Sequence, residues 1–175
     1  AILDGKDDRV LDTTLKGVVN IRGKVTGFVI DKHTILTAGH CVYNQSTKKV
    51  ISNLEIYICD GTADYNNATL TINPVQVHIP AKYADKSTDY GEYDYAILTV
   101  NEDLSDYICF NLGVARDNIK STNPAVYVTG FGGFDKKQED VIDPDLVNKR
   151  STGKGYITSL DSRHILYNTD TIGGD

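Results

Sequence analysis

Apolar and polar residues alternate along this chain in short runs, and no run sustains a 3.6-residue period over three turns. The clearest apolar-periodic stretches are residues 17–22, 24–31, 34–37, 54–59, 75–79, 95–100, 125–129, 155–159 and 165–168. They are rich in Val, Ile, Thr and Tyr, and Gly, Asn, Asp and Lys turns separate them. The pattern predicts strands at short spacing and at most one helical turn, after His40. That is an all-β sandwich or barrel. From Asn101 to about Thr122 the rhythm breaks, and the stretch ends at Asn123-Pro124. It reads as a crossover between two lobes, 1–108 and 109–175. A cleft between lobes is a common place for chemistry. Gly130-Phe131-Gly132-Gly133 lacks the Lys-Ser/Thr ending and the helix of a phosphate loop, and is read as a turn.

Composition narrows the field. A chain of 175 residues can bury a sizeable core. With 24 acids against 18 bases the net charge is −6, which argues against nucleic acid or an anionic membrane as partner. No apolar run approaches the ~18 residues of a membrane span. The chain starts at Ala1 and contains no Met, which suits a processed, mature secreted protein. No Cys-x-x-Cys pair is present, so a zinc site is not expected. The charged loops 60–67 and 134–148 are read as solvated; Asp60, Asp64 and Asp135 could in principle bind calcium.

The candidate chemistry is concentrated in three places. The β-branched run His33-Thr34-Ile35-Leu36-Thr37 leads into Ala38-Gly39-His40-Cys41. Small residues let the backbone turn sharply and leave the imidazole at the lip of a strand. Histidine has an ordinary pKa of about 6.5 and can take and return a proton near neutrality. A general base needs an orienting acid, and Asp94 opens the apolar strand Tyr95-Ala96-Ile97-Leu98. Last comes Asp170-Thr171-Ile172-Gly173-Gly174-Asp175, a glycine-rich stretch of the kind expected just before a nucleophilic serine. Each motif alone is ordinarily a turn or a cap. His33, His78 and His164 lack matching contexts and are read as structural or exposed.

In this order the segments resemble the three catalytic segments of chymotrypsin-like serine proteases. Three further stretches are similar to secreted bacterial glutamyl endopeptidases: Thr26-Gly27-Phe28-Val29-Ile30 with Thr34 to Thr37, His40-Cys41-Val42-Tyr43-Asn44, and Ser151-Thr152-Gly153-Lys154 with Tyr167 and Asp170-Thr171. The resemblance implies two antiparallel β-barrels with the active site between them. It implies His40 as general base, Asp94 as its orienting partner, the Gly174 N–H as an oxyanion-hole donor, and Thr171 as a ligand for a substrate carboxylate. Protein or peptide substrates, secretion, cleavage after Glu and no metal or cofactor follow from the same resemblance.

The family's nucleophilic serine would follow Asp175, so the second barrel is expected to be incomplete in this chain. Further C-terminal polypeptide, of the order of 50 residues on domain-size grounds, is expected to complete it. Family members often tie the residue after the histidine to the preceding strand, where Val25 stands here; Cys41 with Cys59 is the expected pair, and Cys109 is read as a buried apolar residue. Asp170 stands where trypsin-like enzymes carry the acid that selects Lys or Arg, although relatives with the Asp-Thr pair select Glu. A protease cutting after Lys or Arg, and an inactive binding protein of the same fold, are the alternatives.

Overall fold

The computed structural model describes residues 2–85, 91–114, 119–133, 140–161 and 164–171. Its strands are β1 (Val10–Leu11), β2 (Val18–Ile21), β3 (Val25–Asp31), β4 (Thr34–Thr37), β5 (Tyr43–Asn44), β6 (Lys49–Val50), β7 (Ile56–Ile58), β8 (Leu70–Ile72), β9 (Gln76–His78), β10 (Ala96–Thr99), β11 (Ala125–Phe131), β12 (Arg150–Leu160) and β13 (Ile165–Tyr167). Helix is confined among the described residues to single turns, including α1 (Ala81–Ala84) and α2 (Ile119–Thr122).

The alternation of side chains in β2 organises the first lobe. Val19 and Ile21 point into a core with Val29, Ile35, Ile56 and Leu98, while Val18 points to the other side, onto Cys59 and Phe131. β2 turns into β3 through Arg22 and Gly23, both at positive φ (61° and 68°), the twist that favours a tight hairpin. The antiparallel sheet then runs β8-β7-β2-β3-β4-β10-β9. The second sheet runs β1-β12-β11, with β13 also on β12. Residues 10–11 therefore pair with the second sheet, although the boundary at 108 puts them with the first lobe.

One side chain ties the lobes together. Arg150 is fully buried and donates from Nε to the Asp12 carbonyl, from Nη1 to those of Val18 and Cys59, and from Nη2 to that of Thr62. Burial pushes its pKa down from the ordinary arginine value. Beside it the Phe131 N–H donates to Thr26 Oγ1 (2.8 Å) and the Arg150 N–H to the Ala63 carbonyl.

Several expectations need correction. The three cysteines are free. Cys41 packs into the first core and Cys59 onto the opposite face with Val18 and Phe131, so the sheet lies between the expected partners. Burial pushes both thiols up in pKa. Cys109 is only half-buried, and its Sγ accepts from the Gly17 N–H and donates to the Tyr107 carbonyl. Gly130 and Phe131 belong to β11, because their backbone pairs with Ser151 and Arg150 of β12 and leaves no room for a turn there. The loop 60–67 is not simply solvated: Ala63 is buried and the Asp64 backbone forms an isolated antiparallel β-bridge with that of Lys149. In 134–148, residues 134–139, with Asp135, lie outside the described residues, and Ile142 and Leu146 are buried.

Candidate active site

β4 ends at Thr37, whose hydroxyl donates to the Thr26 carbonyl of β3 (2.7 Å). Ala38 stays extended, and Gly39–Cys41 forms a single 3₁₀ turn closed by Val42 N–H to the Gly39 carbonyl. That turn lifts His40 out of the sheet while Cys41 and Val42 fall back into the core. On the adjacent strand of the sheet, Ala96 of β10 pairs with Thr37 of β4, so the residues just before Ala96 lie beside the turn. Asp94 meets His40 there, although 54 positions separate them in the chain.

The contact is a two-point clamp. Asp94 Oδ1 accepts the His40 main-chain N–H at 2.8 Å, and Oδ2 lies 2.7 Å from the ring Nδ1. With both oxygens engaged, the carboxylate sets the imidazole's orientation and favours a proton on Nδ1, which leaves Nε2 as the acceptor. Gly39 makes the approach possible: a Cβ there would lie 3.0 Å from Asp94 Oδ1 and 3.0 Å from the Tyr83 ring. Tyr83 is itself buried, edge-on to Tyr43, and its carbonyl accepts from Gln45 Nε2. On the outer side, Lys82 Nζ lies 2.8 Å from the Tyr93 hydroxyl and 4.5 Å from the ring centroid.

The Asp94 side chain is 23% exposed and that of His40 66%, so the acid is sheltered and the base open. Both line a cleft of about 410 Å³ with Val25, Phe28, Tyr95 and Thr129. Thr129 belongs to β11, so the two sheets share the cleft. A histidine oriented by an acid beside an open cleft can take a proton from a hydroxyl and deliver it to a leaving group.

The other expected site residues fare differently. Thr171 is described and half-buried, one place from Asp170. Gly174, with Gly173 and Asp175, lies outside the described residues. Asp170 is 5% exposed and accepts the main-chain N–H of Leu3 at Oδ1 (2.7 Å) and of Asp8 at Oδ2 (3.1 Å). Sequence reasoning missed this tie, because nothing in residues 3–8 marks a partner so distant along the chain. Of the remaining histidines, His33 Nδ1 sits 2.9 Å from the Glu102 carbonyl and His164 pairs with Asp161. Among the described residues no helix is long and apolar enough to cross a membrane.

Comparison with known proteins identifies the family and the fold. The chain is 25% identical over 140 residues to trypsin iota of Drosophila melanogaster, covering 77% of this chain and 50% of that protein. It is 24% identical over 178 residues to a glutamyl endopeptidase of Bacillus licheniformis, covering 97% of this chain and 51% of that protein. The chain thus spans about half the length of the curated relatives it matches. A solved Glu endopeptidase, in complex with MPD, superposes with a TM-score of 0.76 over 99% of this chain and 79% of that one, at 19% identity. The fold is therefore the chymotrypsin-like all-β architecture. The description of the trypsin-like peptidase domain matches residues 25–175, and the chain belongs to that family.

Proposed function

We propose that this chain carries the base and the acid of a secreted serine endopeptidase that cuts after Glu by way of an acyl-enzyme. The observation that carries the reading is the clamp of Asp94 on both the main-chain N–H and the ring Nδ1 of His40, at the edge of an open cleft. In the reaction, His40 removes the proton of the attacking hydroxyl and returns it to the leaving amine, while Asp94 stabilises the imidazolium. The Gly174 N–H and that of the nucleophile bind the oxyanion; losing one such donor costs about 3 kcal/mol.

The nucleophile is proposed to follow Asp175, on further polypeptide that completes the second barrel. Two features support this. β11 pairs on only one side among the described residues. An apolar cavity of about 400 Å³, lined by Phe28, Phe110, Leu112 and Tyr127, lies beside it. Unpaired edges invite a further strand.

Preference for Glu rests on Thr171, with the hydroxyl as donor to the substrate carboxylate. The alternative, cleavage after Lys or Arg, needs Asp170 to face substrate, and both Asp170 oxygens are bound to the N-terminal segment.

The test takes the intact protein, a fluorophosphonate probe and a peptide library. Labelling of the residue after Asp175, with cleavage after Glu, is expected. A folded protein that neither takes the probe nor cuts any peptide is a binding module instead.

A further inference from the structure

We propose that Arg22, with Lys24 beside it, receives an acidic residue of the substrate just after the cut bond, so that the cleft selects acid-rich segments. The proposal rests on the reading above, in which His40 protonates the leaving amine.

The two cations stand at the tip of the hairpin between β2 and β3. Ile21 pairs with Val25 across it, so residues 22–24 make the turn. The backbone there is pinned. Arg22 is at φ 61°, its N–H donates to the Glu55 carbonyl at 2.8 Å, and the Lys24 N–H donates to the Ile21 carbonyl at 3.1 Å. Val25, the first residue after the turn, lines the cleft with His40 and Cys41, which puts the tip at one end of that cleft. Arg22 also lies near Cys41: burial pushes the Cys41 thiol up, and the Arg22 charge pulls against it.

What singles out these cations is the lack of a counter-ion. Arg9, Lys16 and Lys32 face Asp7, Asp60 and Asp103 at 2.8, 3.6 and 3.0 Å. Among the described residues the side chains of Arg22 and Lys24 have no ion pair and no hydrogen bond. Arg22 is nonetheless half-buried, so its guanidinium has lost part of its water without a partner in return. Two acids of the same region are taken. Glu55 Oε2 accepts from the Tyr57 hydroxyl at 2.7 Å, and both Asp94 oxygens hold His40. A chain of net charge −6 repels acidic peptides in general, and an unanswered cation at the end of the cleft is a local exception. A guanidinium binds a carboxylate through paired, charge-assisted hydrogen bonds, to which Lys24 adds a point charge.

The side of the cut bond follows from the proposed roles. The residue before the bond goes to Thr171 in the second lobe, and the leaving amine faces His40. Arg22 belongs to the same lobe as His40 and stands near the residue that follows it, so the leaving segment is the one that passes Arg22.

The test uses the intact active protein and peptides that share the wild type's preferred residue before the cut and differ just after it. Peptides with Asp or Glu there should be cut about tenfold faster, as kcat/KM, than those with Gln, and those with Lys slowest. Arg22→Asn removes the charge and suits the left-handed backbone; it should shrink the acidic advantage to about twofold, what an exposed Lys24 alone supports. Arg22→Glu should reverse the order, with Lys preferred. High salt should shrink the wild-type advantage. If the Arg22 variants do not fold, Lys24→Glu, at an exposed position, should lower the same ratio. Equal wild-type rates for Glu, Gln and Lys after the cut overturn the proposal. So does an advantage that survives in folded Arg22→Asn and Arg22→Glu or, where neither folds, in Lys24→Glu. A wild type that prefers another residue before the cut refutes the Glu reading alone, and one that cuts no peptide ends both readings.

Discussion

Among the described residues, two His–Asp pairs are built on the same clamp. In one, Asp94 takes the His40 main-chain N–H at 2.8 Å and its Nδ1 at 2.7 Å. In the other, Asp161 takes the His164 main-chain N–H at 2.7 Å, and its oxygens lie 3.1 and 3.2 Å from Nδ1. The second pair is three residues apart and closes the turn between β12 and β13, where the Asp161 N–H also donates to the His164 carbonyl. Its two side chains are 60% and 62% exposed, and water competes for every bond. In the first pair the acid is sheltered, comes from the loop just before the distant β10, and leaves the imidazole facing a cleft shared by both sheets. The clamp alone therefore makes a turn cap. A site requires in addition that the acid be desolvated and that the free ring nitrogen meet room for a substrate.

Four variants test that contrast, all in the intact active protein. His40→Ala removes the proposed base and should lower kcat by several orders of magnitude, up to about 10⁶-fold as in comparable triads, with the melting temperature little changed. Near-normal peptidase activity in that variant would end the catalytic assignment. Asp94→Asn keeps the shape but favours the wrong tautomer, and a fall of about 10⁴-fold in kcat is expected. A fall of the same size in KM-limited binding instead, with kcat intact, would mean that Asp94 only shapes the cleft. Gly39→Ala pushes on Asp94 Oδ1 and on the Tyr83 ring by a few tenths of an ångström. Misplacement by ~1 Å costs about 10²-fold, so roughly tenfold is expected here, read as kcat in a protein of normal stability. Full activity would show that the clamp has slack. Smallest of all, His164→Ala should change kcat/KM less than about twofold and stability by about 0.5 kcal/mol or less, as exposed pairs do. A loss comparable to that in Gly39→Ala would erase the distinction between the pairs.

Much of the first lobe is legible in the pattern of the chain. β2, β3, β4 and β10 fall within expected runs because each alternates or buries β-branched residues over four or more positions. β1, β5 and β6 lie outside the expected runs, since two residues carry too little period to stand out, and β8 lies outside them although β7, β9 and β13 are equally short and fall within. β12 was predicted as residues 155–159 and runs from Arg150 to Leu160. Its first half begins with a buried arginine and holds a serine, a threonine and a glycine, so it shows no apolar alternation, and the lobe contact at Val18, Cys59 and Thr62 is visible only in the structure. His40 and Asp94 could be singled out because each stands where a strand meets a turn. The tie of Asp170 to Leu3 and Asp8 could not, because main-chain donors leave no mark on side-chain identity.

What is local and periodic can be read from the chain alone: an all-β pattern, the acidic balance, and the order of His40, Asp94 and the glycine-rich stretch before Asp175. Turn chemistry and the two-residue period of strands act over a few positions, and so can be read there. Tertiary structure alone decided which groups share a charge or a hydrogen bond across the chain. It kept Cys41 and Cys59 apart on opposite faces of one sheet. It satisfied Arg150 with carbonyls rather than a carboxylate, and it turned Asp170 toward residues 3–8. Such pairings depend on sheet order and on which groups lose their water together, and neither is a property of any short stretch of sequence.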